Sequence, residues 1–163
     1  MRKISLLLIV LILLSSLFGC ANKNSSSNYL ESSKISEVNV DLKQDDGSSA
    51  KGTKAIFYVN SENIIYGFEI SGHTGYAENG YDLVCAAIST LVYNAINSLI
   101  LFTDDKVVKD LKDDSYAKLI LPDLKNGKGS REAIFTMKST AASMKDIEDT
   151  YGSEFLKVIC KKD

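Results

Sequence analysis

Cys85 and His73 are the side chains in this sequence best able to act as a nucleophile and its base. A thiol attacks a carbonyl as its thiolate, so a reactive cysteine needs a proton acceptor nearby and surroundings that favour the anion. His73 is the one histidine in 163 residues, so any imidazole chemistry must use it. It falls in residues 72–81, a stretch made pliable by Gly72, Gly75 and Gly80. Asp82 follows, at the start of a segment with helical periodicity. As an N-cap, its carboxylate would accept the backbone N–H of Cys85 three residues on. Cys85 would then occupy the first helical turn. Uncommitted N–H groups and the positive end of the helix dipole favour a thiolate there, and the same N–H groups can bind an oxyanion. With Val84, Ile88, Leu91 and Ala95 as the buried stripe, Cys85 falls at the stripe's edge, open to sheet and solvent alike. The plain alternative is also available: a lone helical Cys is commonly packing, and a lone loop His commonly surface.

The elements needed to hold such a pair are legible. Residues 55–60 (AIFYVN) and 63–71 (NIIYGFEIS) read as two strands joined by a short turn at Ser61, Glu62 and Asn63. The spacing of Val84, Ile88, Leu91, Ala95 and Leu99 predicts a helix from Asp82 to about Phe102. Residues 116–121 (YAKLIL) read as a strand closed by Pro122, and residues 126–130 as a glycine-rich turn. Ile134, Met137, Ala141, Met144, Ile147 and Tyr151 trace a second amphipathic helix that Gly152 stops, and residues 155–160 form a last strand. The order β-β-α-β-α-β, with one apolar side per helix, predicts a two-layer α+β sandwich. Its small mixed or antiparallel sheet would carry both helices on one face.

Composition narrows the function. The net charge is −2, with no basic excess to neutralise phosphates, so a nucleic-acid partner is not expected. Cys20, Cys85 and Cys160 form no Cys-x-x-Cys pair and there is no second His, so neither a structural metal nor a cofactor is expected. Gly127-Lys128-Gly129-Ser130 lacks P-loop spacing and reads as a turn. The acidic pairs Asp104-Asp105 and Asp113-Asp114 read as solvated loop, and Cys160 as a strand-end residue.

The N-terminus is of another kind. Arg2 and Lys3 precede an apolar run over residues 4–14, too short for an ordinary membrane span and flanked as a signal peptide is. Leu17-Phe18-Gly19-Cys20 resembles the bacterial lipobox, which implies a lipidated Cys20 and a membrane anchor on the outer face of the cytoplasmic membrane. Residues 1–19 are thus read as a lipoprotein-type leader. Residues 20–53 are read as a flexible polar spacer with room for a short edge strand at 35–42, and residues 54–163 as the folded domain.

The segment around the two reactive side chains is similar to the signature of the ribosomal-processing cysteine protease (Prp) family. It carries Gly72-His73, then Gly80-Tyr81-Asp82-Leu83-Val84-Cys85-Ala86-Ala87-Ile88-Ser89, with the motif's twelve-residue step from His to Cys. Thr74 departs from it, standing where the motif has Ala. The resemblance covers residues 54–163. It implies a homodimeric cysteine endopeptidase that trims the N-terminal extension of a large-subunit ribosomal protein, working in the cytoplasm. It further implies Cys85 as nucleophile and His73 as general base. Asp82 would serve as cap and orienter, Ser89 as support one turn below Cys85, and Gly72 and Gly80 as parts of the loop. The implied cytoplasmic place conflicts with the leader. Two readings therefore stand: a thiol protease of this type, or a lipid-anchored surface lipoprotein using the fold for binding or for cleavage of a different peptide.

Overall fold

The computed structural model describes residues 35, 38–112 and 115–163. The residues read as a leader, Cys20, residues 21–34, 36 and 37 of the stretch read as spacer, and Asp113-Asp114 lie outside the described residues. From Val38 onward the order is β1 (Lys43–Gln44), β2 (Thr53–Val59), β3 (Ile65–Ser71), α1 (Leu83–Phe102), β4 (Val108–Lys112), β5 (Tyr116–Ile120), α2 (Pro122–Lys125), α3 (Arg131–Tyr151) and β6 (Leu156–Lys162). This is the expected α+β fold with an enlarged sheet. Six strands run β1-β6-β2-β3-β5-β4. β6 is parallel to both its neighbours, and the other pairs are antiparallel, so the sheet is mixed.

Alternation sets the faces. In β2, Thr53, Ala55, Phe57 and Val59 are buried while the residues between them are half-buried. Phe57 lies opposite Phe68 on β3 and Cys160 on β6, and Phe68 opposite Leu119 on β5, so one apolar row crosses four strands. The two aromatic rings meet edge to face at 6.2 Å. α1 joins this core through Val84, Ile88, Val92, Ala95, Ile96 and Leu99. α3 joins it through Ala133, Met137, Thr140, Ala141 and Met144. Leu91, expected in the α1 stripe, is half-buried, and Val92 takes the central place. α1 has no charged residue and is long and apolar enough to cross a membrane by composition; here it is a core helix packed on α3.

The other sheet face carries a polar lattice. The Glu69 carboxylate accepts the Tyr58 hydroxyl at 2.7 Å and the Lys118 ammonium at 2.8 Å. Burial and the neighbouring carboxylate push the Tyr58 phenol up to about 12.

Two elements were not expected from the sequence, β4 and the one-turn α2, and a third, β1, is displaced. The edge strand anticipated at 35–42 falls instead at Lys43–Gln44, where it pairs with Ile159 and Cys160. Part of the stretch read as spacer is therefore built into the sheet, and the domain's first long strand begins at Thr53. The turn between β2 and β3 is closed by Asn60, whose side-chain oxygen accepts the N–H groups of Glu62 and Ile64 at 3.0 and 2.9 Å. Asn63 takes a left-handed backbone there, as Asn tolerates.

Candidate active site

α1 begins where the sequence places it. Asp82 is its N-cap, and the Asp82 Oδ1 atom accepts the Cys85 N–H at 2.8 Å. Cys85 is half-buried at the edge of the helix's buried face, its thiol free. The Ala86 N–H is held by the Asp82 carbonyl at 3.1 Å. The N–H groups of Leu83 and Val84 precede the helical ladder and have no partner within it.

The second Asp82 oxygen faces the His73 loop. Oδ2 accepts the Thr74 hydroxyl, the Tyr76 N–H at 3.1 Å and the Ala77 N–H at 3.4 Å. Burial acts to raise the Asp82 pKa, but the Thr74 hydroxyl and the three backbone N–H groups outweigh it and hold the carboxyl below its ordinary value. One carboxylate thus grips both the loop bearing His73 and the helix bearing Cys85.

The loop is also fixed at its root. Gly72 has φ +93°, a left-handed conformation that disfavours any side chain, and an added Cβ would come within 3.0 Å of the Gly52 carbonyl. Its N–H donates to the Ser115 carbonyl at 2.9 Å, and its carbonyl accepts the Thr53 hydroxyl at 3.0 Å. The start of β2 and the turn between β4 and β5 thereby hold the residue before His73. Gly80, at φ +90°, has open space where a Cβ would be, so backbone conformation alone calls for glycine there. Between them Tyr76 packs edge to face on Tyr151 and Phe155, at 5.4 and 5.1 Å between ring centroids.

A cleft of about 360 Å³ opens between the loop, the first turns of α1 and the β4–β5 hairpin. Gly72, His73, Cys85 and Ser89 line it together; Asp82 and Gly80 are not among its lining residues. His73 is exposed. Ile70, Ile88, Val92 and Ala117 line apolar parts of the cleft, with Tyr93, Leu111, Lys112 and Tyr116 also along its wall. Leu111, Lys112 and Tyr116, with Thr53 and Ser115, carried no signal in the sequence, since they reach the cleft only through the sheet's order, whereas Tyr93 lies on α1 about two turns beyond Cys85. Lys112 stands over the Tyr116 ring at 4.9 Å. Among the described residues no group of three or more His, Cys, Asp or Glu could hold a metal ion.

Cys160 lies apart. It is buried on β6, its thiol directed at the Leu42 carbonyl at 3.5 Å.

The family model described as cysteine protease Prp matches residues 53–155. The ribosomal processing cysteine protease Prp of Bacillus subtilis (strain 168) is 30% identical over 88 residues, which are 53% of this chain and 79% of that protein. Among solved structures, the Prp protease of S. aureus with a covalently linked product peptide superposes with a TM-score of 0.61 at 24% identity, over 67% of this chain and 99% of that one. A Streptococcus mutans protein superposes with a TM-score of 0.55 at 25% identity, over 69% and 96% of the two chains. The family match spans the His73 loop, the whole of α1 and the cleft between them, and on that ground the chain belongs to the Prp family of cysteine proteases.

Proposed function

We propose that Cys85 and His73 form the catalytic dyad of a peptide endopeptidase. One observation carries the reading: both side chains line a single cleft, with Cys85 in the first turn of a helix. In this mechanism His73 takes the thiol proton and the Cys85 sulfur attacks the scissile carbonyl carbon. The carbonyl π pair moves to oxygen, where first-turn N–H groups of α1 receive the oxyanion. Collapse breaks the C–N bond, and His73 returns the proton to the leaving amine. Water, deprotonated by His73, then attacks the thioester and releases the new carboxylate, and the thiol recovers its proton. Asp82 caps and orients, Ser89 supports the helix one turn on, and Gly72 and Gly80 shape the loop.

The substrate class proposed is the N-terminal extension of a large-subunit ribosomal protein. Its support is the B. subtilis relative, which is named for ribosomal processing. The S. aureus structures with product and substrate peptides support a peptide in the cleft. A homodimer fits the exposed Tyr93, Leu101 and Phe102 of α1. A second reading concerns place, favoured by Leu17-Phe18-Gly19-Cys20: a lipid anchor at Cys20, with residues 1–19 removed, the stretch before Val38 as spacer and a surface peptide as substrate. Incorporation of labelled palmitate that disappears in Cys20→Ala would support the anchor; none in the parent chain would overturn it.

The test of the dyad is a thiol-directed peptide probe. It is expected to label Cys85 rapidly, to lose that labelling in His73→Ala, and to spare Cys160. Labelling of Cys85 no faster than of Cys160 would overturn the proposal.

A further inference from the structure

We propose that the Thr74 hydroxyl is a positioning group for the Cys-His centre, tying the backbone beside His73 to the helix that carries Cys85. The inference rests on the dyad proposed above and adds what holds its halves in register. Thr74 is only 3% exposed, and its hydroxyl donates to Asp82 Oδ2. The other oxygen of that carboxylate accepts the Cys85 N–H at 2.8 Å. A path of one side chain and one carboxylate thus runs from the residue after His73 to the Cys85 backbone. The loop needs such a restraint. Gly72 and Gly75 flank His73 and Thr74 at φ +93° and +66°, and glycine gives the chain wide backbone freedom. The two backbone donors on Oδ2, Tyr76 and Ala77 at 3.1 and 3.4 Å, come later in the loop. Thr74 restrains the side of His73 opposite the Gly72 anchors, and because it is buried water cannot readily replace its hydroxyl. Thr74 also stands where the resembled motif carries Ala, so this bond belongs to the present chain and not to the motif.

The test compares Thr74→Ala, Thr74→Val and Thr74→Ser in the full-length protein, by cleavage of a peptide copied from the ribosomal extension and by the alkylation rate of Cys85 with iodoacetamide. Ala and Val are expected to lower kcat about tenfold with KM within about twofold, and Ser to restore kcat to within about twofold, because displacement of reacting groups acts on the chemical step. Cys85 alkylation should fall in the same variants. Unchanged kcat in Thr74→Ala, a loss carried by KM, or no rescue by Ser would overturn the inference. So would a Thr74→Ala chain that fails to fold, since the hydroxyl would then serve the fold. Full cleavage by Cys85→Ala would instead sink the dyad itself. An inactive Cys85→Ala beside an unimpaired Thr74→Ala would sink this inference alone.

Discussion

The two long helices begin alike and do different things. α1 is capped by Asp82, which accepts the N–H of Cys85; α3 is capped by Ser130, which accepts the N–H of Ala133 at 3.0 Å. In each the third helical residue receives the cap. In each an aspartate stands at the cap, since Asp105 accepts both the N–H and the hydroxyl of Ser130. Each N-terminus opens on a cleft of about 360 Å³. Yet Ala133 is fully buried, and the cleft beside it is lined by Asp104, Asp105, Asp123 and Glu132 with Lys128. Four carboxylates oppose any anion the helix end attracts. At α1 the single carboxylate has both oxygens occupied by donors, and the lining holds His73 and Cys85. A helix N-terminus is therefore not a site by itself; the loop delivered to it makes the difference.

The sharpest break of this comparison moves the thiol. Cys85→Ala is expected to lose cleavage by at least about three orders of magnitude. A second change, Ala133→Cys, should restore none of it, because the acceptor there lies within the core; recovery of cleavage by the double variant would contradict the account. Next in size, His73→Ala should lower kcat/KM by about 10²–10⁴-fold, the range of a positioned general base, while leaving the thermal midpoint within a degree or two. The caps come third. Asp82→Ala and Ser130→Ala should each lower unfolding free energy in urea by about 1 kcal/mol, but only the Asp82 change should also slow cleavage. Equal activity in the two variants would mean that the caps are interchangeable.

The smallest effect is acid sensitivity. The folded Asp82 carboxyl is held below its ordinary value, so around that value the unfolded chain binds more protons than the folded one. Stability from this group is full above the unfolded value and is lost as pH falls through the folded one. Unfolding midpoints taken from pH 5 to pH 3 should therefore fall less steeply in Asp82→Asn than in Ser130→Ala; parallel slopes would remove Asp82 from the account.

How much of this was legible follows from sequence distance. The Asp82 cap, the helix it starts and the edge position of Cys85 were readable because each depends on neighbours within a turn or two. The Gly152 stop of α3 was readable for the same reason. β4 was not. Its five residues are all exposed, so no buried face imposes alternation on Val108–Lys112. β1 is two residues long and held by backbone pairing with β6, which side-chain pattern does not encode. The cleft was legible by half. His73 and Cys85 share a local segment, whereas Thr53, Leu111 and Tyr116 meet them only once the strand order is known. The role of Thr74 was hidden in a different way. As a small residue beside a histidine it looked like a neutral change, and its significance appeared only with the second oxygen of Asp82.

The strand order has a consequence for how the molecule is made. β6, the last of the described elements, is not an edge strand: it lies between β1 and β2 and is parallel to both. During synthesis, which runs from the N-terminus at about 5–20 residues per second, β2 emerges with one long edge unfilled. It stays so until residues 156–162 leave the ribosome exit tunnel. The row joining Phe57 to Cys160 cannot close earlier. Closure of the sheet thus waits for β6, and a nascent chain, or one truncated before Leu156, presents an open sheet edge to its surroundings.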